Sequence, residues 1–101
     1  MTEATNALDG LDPALSAPKR LAAMALLSRA SFADFPFLRT QLGVSDSDLS
    51  KQMAALEALG YVTISKSGRG RGSVTTFAIT KAGRRAYDVH RAALERLLSG
   101  E

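Results

Sequence analysis

Two clusters of side chains could do chemistry in this chain. One is the tip Gly68-Arg69-Gly70-Arg71-Gly72, preceded by Lys66. The other is the segment carrying Ser45, Ser47, Ser50, Lys51 and Gln52. Both consist of hydrogen-bond donors and cations on short or flexible stems, which is the chemistry of non-covalent anion recognition. Catalysis has no comparable support. His90 is the only histidine and cysteine is absent, so neither a metal site nor a nucleophilic triad can be assembled. No cofactor is expected, and the chain does not read as an enzyme. The glycines at 68, 70 and 72 are not followed by the Lys-Ser/Thr of a phosphate-binding P-loop.

The charge distribution points the same way. The net charge is +3. Residues 1–50 hold four cations against six acids, whereas residues 51–91 hold eight cations against Glu57 and Asp88. The basic excess therefore falls on the serine-bearing segment, the glycine-rich tip and the stretch from Lys81 to Arg91, as a polyanion partner would require. A solvated basic surface is the alternative.

The elements that must position these groups are legible as periodicities. Ser16 caps a first helix, with Pro18 in its first turn and Leu21, Met24, Ala25 and Leu27 as its apolar stripe. Asp34 caps a short second helix with Phe35, Leu38 and Leu42 inward, and Gly43 ends it. Ser45 caps a third helix whose buried face is Leu49, Met53, Leu56 and Leu59. Asp48 completes a capping-box-like pair with Ser45. The runs Tyr61–Lys66 and Val74–Ile79 alternate and are β-branched, forming a hairpin around the glycine-rich tip. Thr80 caps a last helix from about Lys81 to Ser99, with Tyr87, Leu94 and Leu98 on one face, flanked by His90 and Leu97. Phe32 falls in a connection.

The expected fold is α+β and mainly α: a three-helix core, a two-stranded hairpin wing and a C-terminal helix. Residues 1–15 form a partly flexible arm, 16–80 the domain and 81–101 the C-terminal helix. The second and third helices meet across Leu42-Gly43-Val44-Ser45, a spacing that suits a helix-turn-helix. A plain helical hairpin has the same spacing. No apolar run approaches the ~20 residues of a membrane span, so no membrane partner is expected. The acidic N-terminus does not read as a signal peptide. The lack of cysteine fits a cytoplasmic setting.

With these motifs in place, LSKQMAALEALGYV followed by ISKSGRGRGSVTTFAITKAGRRAY resembles the bacterial winged helix-turn-helix transcriptional regulators, particularly small MarR-like or PadR-like proteins. The matching features are the S-D-L-S-K start of the third helix, its L-E-x-x-G-Y-V exit and the F-x-I-T-x-x-G-R end of the wing. They span roughly residues 17–98. The resemblance implies sequence-specific binding of double-stranded DNA by a homodimer that represses or activates transcription. Ser45, Ser47, Ser50, Lys51 and Gln52 then face DNA from the third helix, Lys66, Arg69 and Arg71 from the wing, and Arg39 from the second helix. Gln52 stands where many relatives carry histidine; it either pairs with adenine or packs beside the core. The last helix pairs with its copy through Tyr87, His90, Leu94, Leu97 and Leu98, joined by Leu8, Leu11 and Leu15 of the arm, or else folds back on its own domain. A small-molecule effector would sit in a cleft between the dimer helices and the core, and no residue set points to one. Two rival readings remain: a winged helix protein-interaction module, and an RNA binder. The latter is opposed by aromatics placed mostly at core-facing positions.

Overall fold

In the computed structural model, which describes residues 6–68 and 70–100, Asp12 opens the fold by accepting from the Ala14 amide at the head of a single 3-10 turn, Pro13–Ser16. Helix α1 (Pro18–Ala30) follows, then strand β1 (Phe32–Asp34), α2 (Phe35–Leu42), α3 (Asp46–Ala58), β2 (Val62–Ser67), β3 (Val74–Ile79) and α4 (Lys81–Ser99). The side chains of Asp34, Ser45 and Thr80 accept from the amides of Phe37, Asp48 and Gly83, so three caps lie where the sequence places them. Helix α1 departs from expectation. It begins at Pro18, and Ser16 instead donates its hydroxyl to the Asp12 carbonyl at 3.0 Å.

The sheet has three strands, not two, in the order β1-β3-β2, with both pairings antiparallel. Ala33 pairs with Phe77, and Phe77 with Ile64 on the other side. Only Ala33 of β1 is buried. Three residues are too few to show a period, and this strand exists because β3 offers an edge. The bend into it is taken by Ser31 at φ 72°, a left-handed backbone held by a non-glycine. Arg84 on α4 stabilises that corner, donating to the Ser28 carbonyl (3.0 Å) and the Ser31 hydroxyl (2.9 Å). Its charge also meets the negative C-terminal end of α1.

The core is Leu15, Ala23, Met24, Leu27, Ala33, Leu38, Leu49, Met53, Leu56, Val62 and Phe77. Two expectations change here. Leu15 is fully buried, and so is not available to another chain. Leu59 is 50% exposed, because α3 ends at Ala58 and the chain turns away before Leu59 reaches the core. Phe32 and Phe37 are also exposed, on β1 and α2, and so lie off the α3 face and the wing. Helix α4 crosses the start of β2 closely enough that its residue 83 can only be glycine, since a Cβ there would lie 2.1 Å from the Tyr61 carbonyl oxygen. Among the described residues, no helix is long and apolar enough to cross a membrane.

Candidate nucleic-acid interface

Helices α2 and α3 are joined by Gly43, Val44 and Ser45 alone. Gly43 takes the left-handed conformation at φ 65°, and its amide donates to the carbonyls of Arg39 and Thr40. The Val44 amide also returns to Arg39, while its side chain packs on the core. The tight joint fixes α3 across α2. Leu49, Met53 and Leu56 face inward, and Ser47, Ser50, Lys51 and Ala54 form the exposed stripe. Those four positions recur at helical spacing, so they share one face. Three of them carry short side chains, which lets the backbone approach a partner surface closely.

Two members of the expected site turn elsewhere. Ser45 spends its oxygen on the Asp48 amide (3.1 Å), with Ser47 3.3 Å away. Gln52 is half-buried with both ends of its amide engaged: Oε1 accepts from Arg20 Nη1 (2.8 Å) and Nε2 donates to Asp48 Oδ1 (2.9 Å). It faces α1 and is not part of the exposed stripe. Asp48 does not close a reciprocal capping box either, because its other oxygen is bound by Lys19. The hydrogen bonds from Gln52 and then Lys19 hold the Asp48 carboxyl below its ordinary value. A depressed carboxyl contributes stability that is full above its unfolded pKa and is lost as pH falls through its folded pKa. Asp48→Asn should therefore remove part of the acid sensitivity below about pH 4, read from unfolding curves at stepped pH, and change little at pH 7 beyond the lost pairing. Arg39 is exposed and 3.4 Å from Asp46, so this cation is already shared with an acid on the α3 N-terminus.

The wing follows α3 along the chain, and its first strand packs against that helix. Lys66 is exposed on β2, opposite Thr75. Gly70–Gly72 makes a short 3-10 turn, closed by the Ser73 amide to the Gly70 carbonyl at 3.2 Å. Arg69 and the side chain of Arg71 lie outside the described residues. A tight helix-helix joint, a short-chained helix face and a hairpin with a basic sequence at its tip thus follow one another along the chain. Residues 19–98 match the model of the winged helix DNA-binding domain. The chain belongs to that family.

Solved structures agree on the winged helix fold. A transcriptional regulator homologue from Pyrococcus horikoshii OT3 superposes with TM-score 0.81 at 25% identity, covering 86% of each chain. The YusO protein from Bacillus subtilis gives 0.71 at 17% identity, covering 89% of this chain and 60% of its own. ZitR, a zinc-responsive MarR family member from Lactococcus lactis, gives 0.60 at 18%, covering 81% of this chain and 56% of its own. This chain therefore spans little more than half the length of ZitR. No curated protein gives a significant match.

In this winged helix protein α4 carries two different faces. His90 is 2% exposed, and its Nδ1 accepts from the Asp12 amide at 2.9 Å. It therefore fastens the segment before α1 to α4 within one chain and is not a surface residue. Asp12 also receives the Tyr61 hydroxyl at 2.6 Å, a bond that, with burial, raises the tyrosine pKa. The other face is open. Tyr87 and Leu94 line a shallow cleft of about 380 Å³ with Pro18, Leu21, Ala22 and Ala25 of α1. Leu98 is 76% exposed beside this cleft, and Leu97 is partly exposed further along the His90 side. Val89 is exposed on the side near Leu11, Leu8 is exposed and Leu11 is half-buried. The polar links from Lys19, Arg20 and Asp12 were not legible in the sequence. Their partners lie between 29 and 78 residues away, and no spacing rule connects them.

Proposed function

We propose that the protein is a homodimeric transcriptional regulator that binds double-stranded DNA sequence-specifically. Helix α3 enters the major groove, and the wing grips the backbone or the minor groove. The observation that carries this reading is the exposed stripe of α3, Ser47, Ser50, Lys51 and Ala54, next to a basic hairpin. Short hydroxyls at the helix N-terminus can bond phosphates or base edges, and Lys51 can reach a guanine edge or a phosphate. Lys66, Arg69 and Arg71 supply the backbone grip, with Arg39 as a further phosphate contact. A second copy, docked along α4 through Leu94, Leu97 and Leu98 with Leu8 beside them, would set two α3 helices about 34 Å apart on a pseudo-palindromic site. Placement in the cytoplasm follows from this role.

The test is titration against random and selected duplexes at two salt concentrations. Arg69→Ala combined with Arg71→Ala should weaken binding to every duplex and reduce the slope of log K against log salt by about two for each subunit, or about four for the dimer, as expected for two lost phosphate contacts on each wing. Lys51→Ala should mainly erode preference between duplexes. Binding without salt dependence or sequence preference sinks the proposal and favours a protein-interaction module.

A further inference from the structure

The reading helix is held in place by two kinds of contact. Leu49, Met53 and Leu56 bury it, but apolar contact is non-directional and leaves rotation about the helix axis weakly determined. Besides the exposed Arg39–Asp46 ion pair from α2, the directional side-chain contacts come from α1. Arg20 Nε donates to the Ala14 carbonyl (2.7 Å) while its Nη1 donates to Gln52 Oε1 (2.8 Å). Gln52 Nε2 passes the link to Asp48 Oδ1 (2.9 Å), and Lys19 binds the other oxygen of Asp48. Two consecutive cations of the first turn of α1 thus grip two positions one turn apart on α3. The same strand of bonds reaches back, since Ala14 sits in the 3-10 turn capped by Asp12, whose amide is held by His90 on α4.

We propose that Arg20, with Lys19, is a positioning residue for DNA reading, and that Gln52 serves as its handle on α3 and not as a base-reading group. The inference rests on the DNA-binding reading above. Its physical basis is leverage: a rotation of α3 by about 20° moves a side-chain tip at ~6 Å from the axis by about 2 Å, enough to break a hydrogen bond to a base edge. Arginine suits the task because its planar fork addresses two acceptors at once, which an ammonium cannot do in the same geometry. Phosphate contacts made by the wing tolerate such a rotation, so non-specific binding should be insensitive to it.

The probe is a pool of random duplexes from which the wild-type protein selects its preferred sites, with an unselected duplex as reference. Arg20→Ala should lower the ratio of selected to unselected affinity about tenfold, with the salt slope on the unselected duplex unchanged. Gln52→Ala should do the same, and the double variant should be no worse than either single, since all three break one network. Arg20→Lys keeps the charge and the packing of the stem, and should fail to restore the ratio; it also serves if the alanine variant unfolds. Loss of discrimination in Gln52→Ala but not in Arg20→Ala or Arg20→Lys would show that Gln52 itself reads a base and overturn the proposal. So would additive effects, or an Arg20→Ala variant that weakens all duplexes equally with a shallower salt slope, the mark of a phosphate contact. A wild-type protein that selects no sequence defeats the regulator reading first, and the positioning role with it.

Discussion

Gly83→Ala destabilises the fold by at least about 2 kcal/mol and lowers the melting temperature by on the order of 10 °C, without touching the exposed face of α3. The added Cβ would stand 2.1 Å from the Tyr61 carbonyl oxygen, 2.9 Å from its carbon and 3.1 Å from Ile79 Cγ1. The carbonyl cannot yield cheaply. It accepts from the Thr80 amide at 3.0 Å, and the Tyr61 amide is itself bonded to the Leu56 carbonyl at 3.0 Å. The obstacle is therefore anchored backbone at the exit of α3, and relief requires α4 to lift off the sheet. Alanine's helix preference over glycine, about 1 kcal/mol, offsets only part of this. Gly72→Ala is the control, as a Cβ there meets nothing within 4 Å and the backbone is not left-handed. Thermal unfolding of both variants decides the matter. Equal melting temperatures would mean that α4 slides freely over Tyr61, contrary to the contact described.

Gly83 also shows what a sequence can and cannot disclose. It is the glycine of the F-x-I-T-x-x-G-R stretch, so its position is recognisable, while its reason, a crossing with a residue 22 positions earlier, is visible only in three dimensions. The caps at Asp34, Ser45 and Thr80 and the turn at Gly43 were legible because each is settled within a few residues. The hairpin pairing of β2 with β3 was legible for the same reason. Strand β1 was not, since its pairing with β3 spans more than forty residues. The same limit governs the site. Periodicity showed that His90 shares a stripe with Leu94 and Leu97, but not that the chain before α1 covers one end of that stripe and leaves the other bare. It placed Gln52 on α3 without showing that Arg20, 32 residues earlier, would occupy it. Ser47, Ser50 and Lys51 stay exposed, and among the described residues no distant side chain bonds to them.

The open end of that stripe leads to the second large effect. Leu97→Asp combined with Leu98→Asp should convert the proposed dimer to a monomer and weaken binding to selected duplexes at least about 100-fold, while the monomer's melting temperature changes little. Leu98 is 76% exposed and contributes little to the fold of its own chain, while Leu97, 38% exposed at the end of α4, lies beside Asn6 and Ala7 and away from the buried core. In a two-fold symmetric dimer each substitution counts twice. Burying the part of Leu97 and Leu98 that is still exposed on each chain, at about 2 kcal/mol for a whole leucine, would supply on the order of 4 kcal/mol of apolar contact. Four aspartates facing one another would replace that with mutual repulsion and desolvation of charge. The loss in DNA affinity is larger than any single contact could cause, because the second half-site is then no longer reached intramolecularly. Each α3 and wing would keep their own contacts, so binding of the variant to a single half-site should match that of the wild-type protein. Sedimentation velocity and duplex titration together read the result. A variant that sediments as the wild type does and binds full sites equally well would place the dimer elsewhere, or show that one copy suffices.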